Sequence, residues 1–397
     1  MKNQLTTERI LSIDALRGIT IGVMIFVNEL AGVQGVPAWM KHMPASADAM
    51  TFVDAVFPAF LFIVGMSVPF ALNNRIAKGD NLLALQGHIL FRTLGLIVLG
   101  VFMVNAEGGY NEAAMGMSIY LWELLFYVAV ILVWNTYRFK QAIAGYILRG
   151  IGVAGLIVLA SLYRGGEDGT GYLTPQWWGI LGLIGWAYFA SVTLYQLWQG
   201  RLAGMVAMSI LCTVIYILGK TPAVATLPAW HWITALGGHA AHTSIVLNGI
   251  ILALLFFDRG TVKSERRRFM EAAVFTLVLF VAGFALRPVY EISKIRATPT
   301  WCMYSSAFCC ILFMVLYELV DRRKVKGWLG FLMPAAANPL LTYIVPFIIY
   351  ALLGLCHLAW PALFHQGAYG IVWSVVFAVA VMAVVPVLNR VGIKLRL

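Results

Sequence analysis

Residues 52–73 read FVDAVFPAFLFIVGMSVPFALN, and Asp54 is the only charged side chain in this run. An α-helix rises about 1.5 Å per residue, so a run of this length reaches across a hydrocarbon layer about 30 Å thick. Backbone amides in lipid have no water to bind, and a barrel strand would be shorter and would alternate in polarity. The stretch therefore predicts a transmembrane helix.

Apolar runs of this kind recur along the whole chain of 397 residues. They lie near residues 11–32, 52–73, 87–105, 115–135, 141–162, 177–198, 203–219, 237–257, 270–287, 300–320, 333–355 and 369–388. The chain is 61% hydrophobic and only 11% charged, whereas soluble domains are about 25% charged, so a soluble enzyme and a disordered protein are excluded. We expect one domain, 1–397: an all-α polytopic membrane bundle of about twelve transmembrane helices, or ten if the pair 177–219 does not cross.

The distribution of lysine and arginine predicts the orientation of these helices. With twelve crossings, nineteen basic residues fall on one side, among them Lys2, Lys140, Arg259 and Lys263. Six fall on the other side: Lys41, Arg164, Lys220, Arg287, Lys294 and Arg296. The positive-inside rule then puts both termini in the cytoplasm and the 33–51 loop outside. The net charge of +11 reflects this topology, and no nucleic-acid partner is expected.

The first apolar run carries two ionisable residues, Asp14 and Arg17, three positions apart on one helix face. They can pair, because residues at this spacing are neighbours on a helix. Charged groups inside a membrane are costly and are often functional. A structural ion pair that fixes helix packing is an equally good interpretation.

Several groups suited to acyl transfer lie around the first outer loop. Asn28 and Glu29 are near the outer end of the first span, His42 is in the loop, and Asp54 begins the second span. A histidine exchanges protons near neutral pH, and a carboxylate on its other ring nitrogen would orient it. An amide such as that of Asn28 can stabilise an oxyanion. Without further evidence, a solvated loop histidine is the more frequent interpretation.

The motifs SIDALRG (12–18), FVN (26–28), KH (41–42) and FVDAVFPAFLFIVGMS (52–67) together resemble the heparan-α-glucosaminide N-acetyltransferase family. Members of that family are polytopic membrane enzymes that transfer acetyl groups from cytoplasmic acetyl-CoA to a glucosamine amine across the membrane. The resemblance implies that His42 is the catalytic histidine, Asn28 the active-site asparagine and Asp54 its acidic partner. We expect no counterpart of the large lumenal domain of the animal enzyme.

Two later stretches resemble the family less closely. GFLMPAAANPLLTY (330–343) is similar to its Pro-x-x-x-Asn-x-x-x-x-Tyr span, which brings in Asn338, and Lys294 with Trp301 is similar to a Lys-x-Leu-Trp motif. The family's Asp-Pro-Glu stretch is replaced here by LGGHAAHT (236–243), which contains His239 and His242. The acceptor can therefore differ from that of the family.

Binding residues can be assigned as hypotheses. For acetyl-CoA we expect Asp14, Arg17, Arg92 and Asn338, although Arg92 can equally extend towards lipid headgroups. For the acceptor we expect Glu29, His239 and His242. Two histidines do not complete a metal site, and the five cysteines form no CxxC pair, so no metal is predicted.

The sequence thus favours a multi-pass enzyme of the cytoplasmic (inner) membrane. It would move an acetyl group from acetyl-CoA to the amine or hydroxyl of an amino sugar or other glycan at the extracytoplasmic side. The alternative is a proton-coupled secondary transporter, because twelve spans with both termini inside and an intramembrane ion pair suit that class as well. Partners are the donor, the acceptor and the lipid bilayer, and a homodimer is left open.

Overall fold

The computed structural model describes residues 9–139, 141–221, 224, 226, 228–258 and 264–396, in which helices are the regular secondary structure and only isolated β-bridges occur. The main helices are α1 (Leu11–Ala31), α2 (Phe52–Ala77), α3 (Leu82–Ala106), α4 (Ile119–Trp134), α5 (Ala142–Leu162), α6 (Gly179–Leu197), α7 (Leu202–Lys220), α8 (His231–Phe257), α9 (Glu265–Tyr290), α10 (Pro299–Leu316), α11 (Leu329–Ala337), α12 (Pro339–Leu355) and α13 (Gly367–Arg390). A π-helical turn, Tyr317–Arg322, extends α10. The all-α polytopic bundle is confirmed.

Every predicted apolar run is helical, and the number of span-length helices is close to the predicted count of about twelve, or ten. Among the described residues, ten helices are long and apolar enough to cross a membrane, and there are up to eleven if the pair α11 and α12 is one span. That pair is bent by 86°, because Asn338 has non-helical backbone angles and Pro339 lacks an amide donor. Helix α4 has only 16 residues, about 24 Å of rise.

The doubtful pair 177–219 forms two of the ten span-length helices, α6 and α7. A tight turn joins the two helices: Gln199 and Gly200 have positive φ angles of 52° and 70°, and the Gly200 N–H donates to the Tyr195 carbonyl at 2.9 Å. This left-handed ending is typical of a helix C-terminus. The ten spans therefore include the pair whose crossing was in question.

Four of the basic residues that support the orientation lie outside the described residues: Lys2, Lys140, Arg259 and Lys263. The orientation therefore stays a prediction.

The described chain divides into two compact units. The first comprises the described part of Met1–Thr20 together with Pro37–Thr93 and Ile184–Trp328. Helix α8 is its centre and packs against α2, α7, α9 and α10. Two glycines allow the closest approach: a Cβ at Gly65 of α2 would lie 1.9 Å from the Val246 carbonyl oxygen, and one at Gly249 of α8 would lie 2.1 Å from that of Phe62. Small residues of this kind let membrane helices pack backbone to backbone.

The second unit comprises Ile21–Val36, Leu94–Leu183 and Leu329–Leu397. Helix α4 packs against α5 and α12, and α13 packs against α11 and α12. The buried Trp122 of α4 donates its indole N–H to the Leu159 carbonyl of α5 at 3.0 Å. Its ring stacks on Phe102 at 5.3 Å between centroids. Aromatic stacking and a satisfied indole therefore fix α4 to its neighbours.

Candidate active site

The start of α2 is built by a short local motif, Thr51-x-x-Asp54. Thr51 is the N-cap, and its hydroxyl accepts from the Val53 N–H at 3.2 Å. The Asp54 carboxylate turns back and accepts from the Thr51 N–H at 3.0 Å, which completes a capping box. The motif satisfies free amides at the helix end and fixes the position of the carboxylate.

The same carboxylate binds His42. Asp54 Oδ1 is 2.7 Å from His42 Nδ1, while Oδ2 also accepts from the Met43 N–H at 3.2 Å. Because an ionised carboxylate only accepts hydrogen bonds, Nδ1 carries the proton in this pair and Nε2 of the neutral ring keeps a lone pair. The side chain of Asp54 is 1% exposed and that of His42 is 40% exposed. A buried carboxylate therefore orients an accessible imidazole.

A second charged group, Lys294, faces the imidazole from the segment between α9 and α10. Its Nζ is 3.1 Å from His42 Nε2 and 3.3 Å from Nδ1. Burial lowers the pKa of Lys294, although the negative charge of Asp54 opposes this effect. Sequence reasoning placed Lys294 only in a weak motif, because its 252-residue separation from His42 gives no signal of contact.

The loop that carries His42 is fastened by Asp48, which sequence reasoning missed. Asp48 Oδ2 pairs with Arg287 Nε at 2.9 Å, and Oδ1 accepts from the Ile292 N–H at 2.8 Å. Burial acts to raise the pKa of Asp48, but the hydrogen bonds from Ile292 and Arg287 outweigh it and hold the pKa below its ordinary value. The carboxylate thus joins the loop that carries His42 to the segment that presents Lys294.

Aromatic side chains line the buried side of the pair His42–Asp54. Trp301 of α10 is fully buried and donates its indole N–H to the Asp54 carbonyl at 3.1 Å. His242 of α8 is buried beside it, with its ring centroid 5.3 Å from that of Phe57 and 6.3 Å from that of Trp301. The Nδ1 atom of His242 has no hydrogen-bond partner among the described residues. His239 is partly exposed, 6.0 Å from the Trp186 ring.

The predicted pair in α1 is present. Arg17 Nη1 lies 3.1 Å from Asp14 Oδ1, and Nη2 donates to the Ser67 hydroxyl of α2 at 2.8 Å. Arg9 Nε binds the other carboxylate oxygen of Asp14 at 2.6 Å. One carboxylate therefore faces two guanidinium groups, which leaves a positive charge in excess.

Arg92 adds to this positive charge in the first unit. Its charge is close enough to that of Arg17 for the two to repel each other. The guanidinium lies over the Tyr188 ring, 4.6 Å from the centroid, and its buried Nε has no hydrogen-bond partner among the described residues. Arginine offers paired donors to phosphate, so the arrangement suits an anion.

Three predicted site residues belong to the second unit. Asn28 is exposed at the end of α1. Glu29 accepts from the Tyr350 hydroxyl, and from the Trp373 indole at 2.8 Å. Asn338, at the bend before α12, donates to the Asn389 side chain at 2.9 Å, while its own Oδ1 is buried and unpaired within the described part of the chain.

Comparison with known proteins places this site in a family. The profile of a domain of unknown function, DUF5009, matches residues 9–259, well over half of the chain. The chain belongs to this family. His42, Asp54, Arg17 and Arg92 all lie within the matched residues, whereas Lys294 lies beyond them.

Two named relatives of this DUF5009 member carry an activity in their names. The chain is 34% identical over 100 residues to the heparan-alpha-glucosaminide N-acetyltransferase of Mus musculus, and 36% identical over 97 residues to that of Homo sapiens. The matches cover 25% and 24% of this chain and 14% of each relative. The resemblance read from the four motifs is confirmed, and the chain is an acetyltransferase-like membrane protein.

Proposed function

We propose that this protein transfers an acetyl group from acetyl-CoA to the amine or hydroxyl of an amino sugar or other glycan at the extracytoplasmic side of the membrane. The observation that carries the proposal is the 2.7 Å hydrogen bond between His42 and the buried Asp54. A neutral, oriented imidazole with its second nitrogen accessible is the arrangement that general-base catalysis requires. The similarity to the two N-acetyltransferases supports the choice of acyl group and donor.

His42 acts as the base when the acceptor attacks the thioester. Its Nε2 takes the proton of the acceptor amine or hydroxyl as the new bond to the carbonyl carbon forms, and Asp54 stabilises the resulting imidazolium. The C–S bond then breaks, and the CoA thiolate receives the proton from Nε2. The same atoms also permit a transient acyl group on Nε2.

The remaining site residues are assigned to binding. Arg17 and Arg92, with Asp14 holding Arg17 in place, would bind the phosphates of CoA, and Asn338 would add a polar contact to the donor. Glu29, His239 and His242 would contact the acceptor, and Asn28 would donate to the developing oxyanion.

The decisive experiment measures transfer from acetyl-CoA to glucosamine by the purified full chain in detergent. We expect His42→Ala to lower the rate by about 10²–10⁴, the usual contribution of a general base. Affinity for acetyl-CoA should change little. The matched control is His88→Ala, because His88 is an exposed histidine of α3. Wild-type turnover by His42→Ala would remove the proposed mechanism.

A proton-coupled transporter remains the second candidate, because of the 86° break between α11 and α12. Broken helices are typical of transporter binding sites, and the unpaired Oδ1 of Asn338 lies at this break. The protein reconstituted in liposomes distinguishes the two functions. Acetyl transfer without accumulation of sugar or movement of protons supports the enzyme, whereas proton-driven sugar uptake without transfer supports the transporter.

A further inference from the structure

The contact between Lys294 and His42 is not the usual partnership of a half-buried lysine. Among the described residues Lys294 forms no ion pair with a carboxylate, and its polar neighbours are the two ring nitrogens of His42. An ammonium that loses water normally gains a carboxylate, because desolvation is costly. Here the ammonium lies beside an imidazole ring instead.

The two distances show that Lys294 does not block the base. Nζ is nearly equidistant from Nε2 and Nδ1, at 3.1 and 3.3 Å, so it does not lie along the lone pair of Nε2 alone. That lone pair stays available to take a proton. The ammonium also has three N–H donors, more than the imidazole ring can accept.

We propose that Lys294 is a further catalytic residue, whose ammonium stabilises the negative charge on the carbonyl oxygen of an acyl group that reacts at His42. This role rests on the acyl transfer proposed above. An acyl carbon attacked beside Nε2 brings its carbonyl oxygen within reach of a donor 3.1 Å from that nitrogen. The C=O bond becomes a C–O⁻ single bond as the nucleophile adds, and it is restored when the leaving group departs with its electron pair.

The surrounding charges are consistent with this role. Asp54 is committed to Nδ1 of His42 and to backbone amides, Asp48 is paired with Arg287, and Arg296 is paired with Glu291. Each of these neighbours is therefore satisfied. The ammonium of Lys294 has no carboxylate partner among the described residues, so it keeps donors for a substrate.

The test uses p-nitrophenyl acetate as an acyl donor that needs neither CoA nor a glycan. The full chain in detergent is compared with Lys294→Met, Lys294→Arg, Lys41→Met and His42→Ala. We expect Lys294→Met to lower the His42-dependent hydrolysis by about 10²–10³, as for loss of an oxyanion donor. Lys294→Arg keeps a cation and should retain more of the rate. Lys41→Met removes a cation next to His42 in sequence and should have no effect.

A rate for Lys294→Met equal to that of the wild type or of Lys41→Met overturns the proposal, as does a wild-type rate for His42→Ala. Thermal unfolding of each variant separates loss of the fold from loss of the donor, and Lys294→Arg covers the case in which Lys294→Met does not fold. If Lys294→Met is slow but no variant transfers acetyl from acetyl-CoA to glucosamine, the role of Lys294 stands and the proposed donor and acceptor fail. If acetyl transfer from acetyl-CoA to glucosamine occurs and Lys294→Met is unaffected, the proposed donor and acceptor stand and the role of Lys294 fails.

Discussion

At the scale of single residues, Asp54 has two separable tasks. It completes the cap of α2, and it fixes the tautomer of His42. Both depend on one buried carboxylate, so a substitution there affects stability and chemistry together. The neighbouring Thr51 takes part in the cap, and its hydroxyl donates to the Lys41 carbonyl at 2.9 Å and more weakly to Asp54 Oδ2 at 3.4 Å. Loss of this hydroxyl leaves the hydrogen bond between Asp54 and His42 in place, so Thr51 allows the two effects to be separated.

We expect Asp54→Asn to lower kcat for acetyl transfer by up to about 10⁴, because an amide favours the wrong tautomer of the histidine. Thr51→Ala removes a capping hydroxyl and should cost about 1 kcal/mol of stability with kcat little changed. Steady-state kinetics and thermal unfolding of both variants test this. If kcat falls equally in both, Asp54 acts through the helix cap alone.

The pH dependence follows from Lys294. Burial lowers the pKa of this lysine against the opposing charge of Asp54, so its positive charge is lost at a lower pH than that of an exposed lysine. We expect hydrolysis of p-nitrophenyl acetate, corrected for the spontaneous reaction, to decline as pH rises through this lowered pKa. Lys294→Arg should move the decline to higher pH, since a guanidinium stays charged. An unmoved decline assigns the titration to another group.

At the scale of elements, α2 and α8 are held together through Gly65 and Gly249. Neither approach is visible in the sequence, because the glycines are 184 positions apart, from residue 65 to residue 249. This contact sets where Asp54, at the start of α2, lies relative to His242 on α8. Close packing of α2 against α8 therefore helps to hold the residues of the candidate site in position.

We expect Gly65→Ala and Gly249→Ala each to destabilise the protein by at least about 1–3 kcal/mol, as overpacking does, because the new methyl groups meet backbone carbonyl oxygens. Gly238→Ala is the control on α8, since nothing lies within 4 Å of a Cβ there. Thermal unfolding in one detergent compares the three. Equal midpoints for Gly249→Ala and Gly238→Ala would contradict the close approach.

At the scale of the whole molecule, the prediction concerns orientation. The 19-to-six distribution of basic residues puts the 33–51 loop and the segment after α12 outside. Cys356 lies in that segment and is exposed, whereas the other four cysteines are buried. The native chain therefore carries its own reporter.

We expect a membrane-impermeant maleimide added to intact cells to label the native protein at Cys356. After Cys356→Ser, the same reagent should label a cysteine at position 45 and not one at position 326. Permeabilised cells provide the control for reactivity at both positions. Labelling at 326 but not at 45 in intact cells would reverse the topology.

Hydrophobicity and local spacing alone determined that the chain is a polytopic helical bundle, where its apolar runs lie, and that Asp14 can pair with Arg17. The physical reason is that the thickness of the lipid layer sets the length of a spanning helix, and that residues three apart on a helix lie within reach of each other. Motif resemblance selected His42 and Asp54. Only the tertiary structure decided the long-range contacts. These are Lys294 beside the imidazole of His42, the ion pair of Asp48 with Arg287, and the close approach of Gly65 to Val246. The tertiary structure also decided the break at Asn338, since a helix of nine residues followed by one of seventeen has the same apolar composition as one continuous span.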